Sequence, residues 1–469
     1  MKPCVRFAPS PTGEPHLGFA RTALYNFLFA RNKGGEFLLR VEDTDLERSK
    51  KEYIDQIINS LKWLGIEWDR EIIFQSKRSH HYDKHLKSLL ESGKVYRCFA
   101  SKNELEQIRK ETGSFNYNGL WRDRNDEEIS KQLDLGTPYT IRLKTPKSGI
   151  VKFKDMVYGD ISVSNSEIDD FIIVRSDGSP VYNFTNVIDD QDMGITHVIR
   201  GEDHISNTPK QIQIYLALGW KLPKFAHLPM ILGIDKKRLS KRHGATSVTS
   251  YRDEGYQPQA LINYLALLGW NPGTDEEIMD LSQLISKFDF TRVQKKSAVF
   301  DPKKLGWVSS KYLEVQESDE ILKSIRMLDP DWGDGKEEDF CIRVINLLTS
   351  RSQIPTDIIE NSGYFFEDPQ TFSSDDIKKI WKDTTQAIIE KIIQLYSNAS
   401  SWSEKNLEKI FKNYIAKTGL GFGQVMKPIR LALCGSLTGP SLFELMELIG
   451  KTSTINRLNY AIKEIRINE

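Results

Sequence analysis

The sequence predicts an α/β protein with a doubly wound parallel sheet, an inserted domain and an all-α region at the carboxyl end. Strand and helix patterns alternate near the amino terminus, this rhythm lapses between about residues 95 and 171, and strand signals become rare beyond about residue 315. The chain has 469 residues. Because single cores stop growing at about 250–300 residues, we expect more than one domain.

The amino-terminal segment contains two consecutive strand–helix pairs. Residues 4–8 form a short apolar run, and the prolines and glycine of 9–15 predict a loop. Apolar residues then recur at helical spacing over 20–28, a second strand is predicted at 37–41, and a second amphipathic helix at 54–64. Strands that alternate with helices in this way are typical of a parallel sheet.

Charge and cysteine content exclude several classes of protein. Lys+Arg and Asp+Glu both number 65, so the formal net charge is zero, which argues against a non-specific polyanion binder but allows a local basic groove. The four cysteines have no CxxC spacing, so we expect neither a zinc knuckle nor a disulfide framework. The chain carries no signal-peptide pattern and no apolar run of about 18 residues, which predicts a cytoplasmic protein without a membrane segment.

A Pro-His-Leu-Gly motif at residues 15–18 lies where the first loop meets the first helix. Free backbone N–H groups and the partial positive charge of a helix N-terminus favour phosphate binding. His16 can donate a hydrogen bond to phosphate, and Gly18 allows a nucleotide to approach the backbone closely. For the bare triplet, however, a histidine on a surface loop is the more frequent explanation.

A second motif is the basic loop at residues 236–242, which ends near Gly244. Such a loop can fold over a triphosphate and neutralise charge in the transition state. The alternative is a solvated basic loop, which is the usual meaning of a run of like charges.

Taken together, the two motifs resemble the paired signatures of class I aminoacyl-tRNA synthetases, and the surrounding sequence resembles the glutamyl-tRNA synthetase family. Ordered blocks along nearly the whole chain carry this resemblance. They are RFAPSPTG (6–13), FLLRVEDTD (37–45), IRGEDH (199–204), LSKRHG (239–244), FDPKKL (300–305), MKPIRLAL (426–433) and GPSL (439–442). Two positions depart from the signatures, Phe19 in the first and Arg238 in the second, and both preserve the backbone and charge roles.

The resemblance implies a Rossmann-type catalytic domain and a role for each segment of the chain. The predicted segments are the first half of the catalytic nucleotide-binding domain (1–94), an acceptor-end-binding insertion (95–171), the second half with the basic loop (172–245), a connecting domain that contacts the tRNA stem (246–315) and a helical anticodon-binding region (316–469). Arg351 is implied as a reader of the anticodon, on family position alone.

The resemblance also implies the residues that bind the substrates. Because the side chain of glutamate is an anion, a guanidinium can hold it through two parallel hydrogen bonds, and Glu42 would accept the ammonium group. The implied glutamate-binding residues are Arg6, Ala8, Ser10, Glu42, Tyr182, Asn186 and Arg200. The implied catalytic residues are His16, Gly18, Ser240 and Lys241. The implied ATP-binding residues are Pro9, His16, Gly18, Asp203, Leu239 and Lys241.

The implied activity is that of a glutamate–tRNA ligase, which activates L-glutamate with ATP and Mg²⁺ and transfers it to tRNA(Glu). The sequence leaves open whether tRNA(Gln) is also a substrate. Members of this family need bound tRNA before the first step proceeds, and we expect the same here. We also expect a monomer that uses no zinc and has no metal site of its own.

Three alternatives remain at this stage. Glutaminyl-tRNA synthetases share the catalytic domain but usually end in β-barrels, whereas this carboxyl-terminal third reads as helical. A truncated paralogue that glutamylates a modified tRNA base lacks the anticodon domain. A catalytically dead tRNA-binding paralogue is disfavoured because His16, Gly18, Ser240 and Lys241 are all present.

The purified protein is expected to contain no tightly bound zinc. Some bacterial relatives carry a zinc site in the insertion, but here only Cys98 remains, with Ala100, Trp121 and Asp123 near the positions of further ligands. Elemental analysis of protein purified without chelators should therefore return far less than one zinc per chain. One tightly held zinc per chain would contradict this prediction.

Overall fold

The computed structural model describes residues 2–45, 47–113, 116–239 and 247–465. The chain divides into two compact units. The first unit comprises Met1–Tyr251 with Pro258–Pro302, and the second comprises Arg252–Gln257 with Lys303–Glu469. Within the described ranges, no helix is long and apolar enough to cross a membrane.

The strands that the described residues form all belong to the first unit. They are β1 (Cys4–Phe7), β2 (Glu36–Val41), β3 (Ile73–Phe74), β4 (Val95–Cys98), β5 (Thr140–Leu143), β6 (Ile150–Asp155), β7 (Gly159–Ser164), β8 (Ile172–Val174), β9 (His197–Gly201), β10 (Lys224–Leu228), β11 (Ile231–Leu232) and β12 (Ala298–Val299). Among the described residues, the largest sheet has seven strands in the order β3-β2-β1-β9-β10-β6-β7. All its pairs are parallel except β6–β7.

The helices that connect these strands follow them closely along the chain. The first ten helices are α1 (Leu17–Asn32), α2 (Lys51–Trp63), α3 (Ser79–Glu91), α4 (Lys102–Thr112), α5 (Asp126–Asp134), α6 (Tyr182–Asp192), α7 (Thr208–Ala217), α8 (Val248–Asp253), α9 (Pro258–Leu267) and α10 (Leu281–Lys287). Every residue of β1 is buried, as expected for a parallel strand covered on both faces. The charged residues on such strands are therefore the ones that need explanation.

The segment predicted as an insertion contributes to two different sheets. Strands β4 and β5 pair antiparallel with β8 in a small sheet, whereas β6 and β7 extend the large sheet through the pairing of Phe225 with Asp155. The chain therefore returns to the large sheet within residues 95–171. Strand β8, which the sequence placed in the second catalytic half, lies outside the large sheet. The alternation of apolar residues along β6 was the available signal, because every second residue there is buried.

The predicted connecting segment is likewise divided. Residues 258–302 belong to the first compact unit, and the chain from Lys303 onward belongs to the second. Helix α9 packs on α1, where the Tyr25 hydroxyl donates to the carbonyl of Ala266 over 3.1 Å and Arg21 Nη1 donates to that of Leu268 over 3.1 Å. The compact units thus do not divide at residues 246 and 315, and the functional roles assigned to these segments stay predictions.

Beyond β12 the regular elements of the described chain are all helices. The helices are α11 (Pro302–Glu314), α12 (Ser318–Leu328), α13 (Glu338–Thr349), α14 (Pro355–Phe366), α15 (Ser374–Ile380), α16 (Thr385–Ser397), α17 (Glu404–Thr418), α18 (Phe422–Cys434) and α19 (Leu442–Glu464). Their apolar faces share one core, which includes Ile345, Ile389 and Leu445. The predicted fold class, a parallel α/β part followed by an all-α region, is confirmed.

Candidate active site

A cavity of about 410 Å³ opens at the carboxyl ends of the central strands of the large sheet. Arg6 on β1 and Arg200 on β9 line it, and Glu42 follows the last residue of β2. The backbone N–H of Glu42 donates to the carbonyl of Pro9 over 2.9 Å, which holds the loop after β1 beside the end of β2. In parallel α/β sheets this edge is where ligands bind.

The floor of the cavity is a buried ion cluster around Asp190 on α6. Oδ1 of Asp190 accepts hydrogen bonds from Arg6 Nε at 2.9 Å and from Arg40 Nη1 at 2.6 Å. Arg40 is fully buried, and Arg6 and Asp190 are nearly so. Charges removed from water to this extent persist only when they are paired and hydrogen-bonded. The Asp190 carboxylate therefore fixes two guanidiniums at once.

The pairing leaves part of Arg6 free. Its Nε is used by Asp190, and neither terminal nitrogen has a hydrogen-bond partner among the described residues, although Arg6 lines the cavity. Burial alone would raise the pKa of Asp190, but Arg6 and Arg40 overcome it and hold that pKa below its ordinary value. The carboxylate is thus ionised, and the spare N–H groups of Arg6 form a site for an anion.

Glu42 supplies the opposite charge. Its Oε1 accepts from Asn186 Nδ2 at 2.9 Å and from Arg40 Nη2 at 3.3 Å, whereas Oε2 has no protein donor within the described ranges. Burial raises the pKa of Glu42, and Arg40 and Arg6 oppose that rise. A bound ammonium group would favour the ionised form further, so Oε2 is a suitable acceptor for it.

Arg200 is held differently from Arg6. Its Nη2 donates to Thr208 Oγ1 at 2.7 Å, its Nε donates to His227 Nε2 at 3.2 Å, and its Nη1 donates to the Tyr182 hydroxyl at 3.3 Å. Burial lowers the pKa of Arg200, but an arginine side chain is not deprotonated in proteins, so Arg200 remains charged at neutral pH. The cavity therefore has two fixed cationic groups.

His16 and Gly18 are linked by local geometry. His16 is the N-cap of α1, and its Nδ1 accepts from the backbone N–H of Phe19 at 3.1 Å. Since Nδ1 accepts, the proton of the neutral ring lies on Nε2, which leaves a donor for a ligand. The side chain of His16 is exposed to solvent, yet partial burial of the ring lowers the pKa of His16, and the positive charge of Arg238 adds to the effect.

Gly18 has a steric relation to His16 that the sequence did not show. A Cβ at this position would lie 3.1 Å from Cε1 and from Nδ1 of the His16 ring, closer than side chains normally approach. Any larger residue would therefore crowd the ring that caps the helix. This steric role adds to the predicted close approach of a nucleotide.

A second cavity of about 460 Å³ shares His16, Gly18 and Arg238 with the first. Leu239 also lines it, because its backbone N–H donates to the carbonyl of Ile231 over 3.0 Å and returns the chain to β11. Ser247 lines the same cavity and forms a β-bridge with His16. Both flanks of residues 240–246 thus border one cavity.

The predicted glutamate-binding residues all line the first cavity, together with Pro9, His16, Gly18 and Asp203. Ser240 and Lys241 lie outside the described residues. Arg351 lies in the second unit, two residues after the end of α13, and its side chain is exposed. The sequence therefore predicted a set of residues that the fold brings together, although their individual roles stay predictions.

Several buried polar residues that support the cavity were not predicted as part of the site. They include Arg40, Asp155, Asp190 and His227, all at least nine-tenths buried. Arg40 could have been found, because it interrupts the apolar run of β2 and a buried arginine needs a partner. No comparable signal existed for Asp155 or His227, which meet only through the pairing of distant strands.

No group of three or more His, Cys, Asp or Glu side chains is placed to hold a metal ion in the parts of the chain that the structure describes. Mg²⁺ in nucleotide sites is usually held by one or two carboxylates together with substrate phosphates. The described residues thus offer no dedicated magnesium cage.

Residues 3–307 match the family model described as tRNA synthetases class I (E and Q), catalytic domain. Residues 317–462 match the model of an anticodon binding domain. The parallel sheet, the cavity at its carboxyl edge and the helical second unit agree with this division. The chain is therefore a class I tRNA synthetase of the E and Q group in its architecture.

Full-length relatives narrow the class to one family. The chain is 43% identical over 472 residues to glutamate–tRNA ligase 1 of Caldanaerobacter subterraneus subsp. tengcongensis, covering 99% of this chain and 98% of that protein. It is 40% identical over 468 residues to the glutamate–tRNA ligase of Geobacter sulfurreducens, covering 98% of each. A crystal structure of a glutamate tRNA ligase from Elizabethkingia meningosepticum in complex with its amino acid has a TM-score of 0.91 and 35% identity, covering 99% of this chain and 100% of that one. This chain belongs to the glutamate–tRNA ligase family.

Replacing Asp190 by asparagine is expected to destabilise the protein strongly. The Asp190→Asn variant leaves two buried guanidiniums without their shared counter-charge, and breaking a buried pair in this way costs about 3–5 kcal/mol. Urea denaturation at pH 7 measures the loss. The control is Asp69→Asn, which breaks a half-exposed pair with Arg31 and should cost less than about 1 kcal/mol.

The difference in stability between the wild type and Asp190→Asn should depend on pH in a defined way. The folded pKa of Asp190 lies below the unfolded value of about 3.9, so its contribution is complete well above that pH and is lost as the pH falls through the folded pKa. The difference between wild type and Asp190→Asn should therefore shrink below about pH 4. A difference that stayed constant from neutral to strongly acidic pH would contradict the assignment.

Proposed function

We propose that this protein is a glutamate–tRNA ligase that activates L-glutamate with ATP and transfers it to tRNA(Glu). The observation that carries the proposal is the polarity of the first cavity. Arg6 and Arg200 supply cationic N–H donors, and Glu42 supplies an unpaired carboxylate oxygen. A small ligand with a carboxylate and an ammonium group fits this arrangement.

Discrimination between glutamate and glutamine follows from the chemistry of guanidinium. Arginine has donors and no acceptor, so it pairs with both oxygens of a carboxylate. The amide nitrogen of glutamine would place a donor against a donor and leave buried polar groups unpaired, which a site built to hydrogen-bond its substrate rejects strongly. Ala8 and Ser10 line the cavity beside these groups, as Tyr182 and Asn186 do.

ATP is proposed to lie along both cavities, across the N-terminus of α1. The free Nε2–H of His16 and the N-terminal backbone N–H groups of the helix are suitable phosphate donors. Pro9, Asp203 and Leu239 border the same space. The proposal for Ser240 and Lys241 rests on the resemblance, and it is supported by the position of the flanking residues Leu239 and Ser247.

In the proposed reaction, an oxygen of the α-carboxylate of glutamate attacks the α-phosphorus of ATP. The bond to the bridging oxygen breaks and pyrophosphate leaves with the electron pair, which gives glutamyl-adenylate. His16 and Lys241 would stabilise the charge that develops on the phosphoryl oxygens. Mg²⁺, when bound with ATP, supplies further neutralisation of phosphate charge.

In the second proposed step, the 2′-hydroxyl of the terminal adenosine of the tRNA attacks the carbonyl carbon of the adenylate. The ester forms, AMP leaves, and the hydroxyl proton is released. The proposed tRNA contacts are the acceptor end at 95–171, the stem at 246–315 and the anticodon at 316–469, where Arg351 would read a base. The anticodon-domain match over residues 317–462 supports the last of these.

The proposed setting is the cytoplasm. The four cysteines are free and buried, which suits a reducing compartment. The expectations of a monomer and of tRNA-dependent activation derive from the resemblance and stay predictions.

Aminoacylation of purified tRNAs tests the proposed function. With labelled glutamate, ATP and Mg²⁺, the protein should charge tRNA(Glu), and labelled glutamine should give no product. Pyrophosphate exchange should require tRNA. Charging with glutamine in place of glutamate, or no charging of tRNA(Glu), would contradict the proposal. Charging of tRNA(Gln) in parallel would define a broader tRNA range for the same glutamate chemistry.

Substitution of Lys241 by alanine should slow adenylate formation while leaving ATP binding nearly unchanged. Contacts made mainly in the transition state lower kcat, and losing one electrostatic contact costs about 10²–10³ in rate. Single-turnover adenylation measures this effect. The matched control is Lys236→Ala, in the same loop and with the same charge, for which we expect a small effect. Equal slowing of both variants would instead indicate a diffuse basic surface.

A further inference from the structure

A chain of three buried side chains runs from the cavity across the neighbouring strands β9, β10 and β6 of the large sheet. Arg200 Nε donates to His227 Nε2 at 3.2 Å, and His227 Nδ1 lies 2.7 Å from Asp155 Oδ2. His227 and Asp155 are fully buried, and Arg200 is nearly so. His227 lies directly opposite Arg200 in the register of β9 and β10, and Asp155 ends the neighbouring strand β6.

The donors and acceptors of this chain specify one form of the His227 ring. An arginine Nε–H can only donate, so His227 Nε2 must accept and cannot carry a proton. Nδ1 therefore carries the proton and donates it to the Asp155 carboxylate. Thr208 is compatible with this assignment, because its hydroxyl accepts from Arg200 Nη2 and lies 3.0 Å from His227 Nε2, with the carbonyl of His204 as a second acceptor for its proton at 3.4 Å.

We propose that His227 is a positioning residue for glutamate selection, and that Asp155 keeps its ring in the form that accepts from Arg200. This inference rests on the proposed function. With Nε held by His227 and Nη2 by Thr208, the guanidinium plane is fixed, and Nη1 beside the Tyr182 hydroxyl is directed to the ligand side. A fixed plane is what two-point recognition of a carboxylate requires.

Burial of His227 agrees with a neutral ring. Burial lowers its pKa, the hydrogen bond to Asp155 opposes that shift, and the nearby charge of Arg200 lowers it further. The pKa of Asp155 is held below its ordinary value despite burial, because His227 and the backbone N–H groups of Tyr158 and Val157 donate to it. The pair is thus an ionised carboxylate and a neutral imidazole.

The surroundings of Asp155 make one substitution especially informative. Its Oδ1 accepts from the backbone N–H groups of Val157 and Tyr158, both at 2.9 Å, so that position must remain an acceptor. In Asp155→Asn the amide oxygen would take this place and the amide NH₂ would face His227 Nδ1. The ring would then have to accept at Nδ1 and carry its proton on Nε2. That proton would face the Nε–H of Arg200, donor against donor.

The experiment compares near-isosteric variants in the full-length protein by tRNA-dependent pyrophosphate exchange. Asp155→Asn should raise the KM for glutamate about tenfold or more, which corresponds to about 1.4 kcal/mol, with kcat and the KM for ATP little changed. In the same variant, the ratio of glutamate activation to glutamine activation should fall. The control is Asp69→Asn, which removes a carboxylate that pairs with Arg31 away from the cavity, and its glutamate KM should be unchanged.

Two variants of His227 separate positioning from packing. The glutamine of His227→Gln extends an acceptor to about the position of Nε2 and should preserve most of the glutamate affinity. The asparagine of His227→Asn extends only as far as Nδ1 and should lose affinity as Asp155→Asn does. If both variants lost the same glutamate affinity, and the loss merely tracked a loss of thermal stability, the positioning role would be overturned.

Nitrogen-15 spectra of histidine-labelled protein give an outcome independent of catalysis. Wild type should show one buried ring with its proton on Nδ1, assigned by its absence from His227→Gln, and Asp155→Asn should show the proton on Nε2. An unchanged ring form in Asp155→Asn, or an unchanged glutamate KM in both Asp155→Asn and His227→Asn, would overturn the inference. Failure of wild type to activate glutamate would instead refute the proposed function.

Discussion

The Asp190 carboxylate between Arg6 and Arg40 is the interaction on which the active cavity depends. One buried anion pairs with two guanidiniums that come from adjacent strands, and it contacts only part of each. Arg40 is directed further to Glu42, so the cluster also orients the acceptor for a ligand's ammonium group. Without this shared anion, two cations on neighbouring parallel strands would repel each other inside the sheet. The same cluster thus stabilises the sheet edge and creates its binding polarity.

The cavity is organised by which polar atoms remain unpaired. Arg6 is fixed through Nε and offers its terminal nitrogens, whereas Arg200 is fixed through Nε and Nη2 by His227 and Thr208. His16 uses Nδ1 to cap its own helix and keeps Nε2–H for a ligand. In each case a contact within the protein selects the side of the group that faces the substrate. Such preorganisation reduces the cost of ordering these groups when the ligand binds.

Sequence reasoning predicted the fold class and a set of residues that share one cavity, and it failed where strand order decides the outcome. Local periodicity specifies β1, α1 and β2, but it does not specify that β6 returns to the large sheet beside β10. That return places Asp155 next to His227, a contact between residues 72 positions apart. Asp190 was likewise hidden, because an acidic residue on a helix usually faces solvent. Gly18 was predicted, but its steric relation to the His16 ring required coordinates.

A crystal structure of this protein with bound L-glutamate tests the central claim most directly. The account predicts that the side-chain carboxylate contacts terminal nitrogens of Arg6 and Arg200, and that the ammonium group contacts Glu42 Oε2. Asp190 should remain between Arg6 and Arg40, with its two contacts near the present 2.9 Å and 2.6 Å. A glutamate bound in the reverse direction, or an Arg6 that leaves Asp190 to reach the ligand, would contradict it.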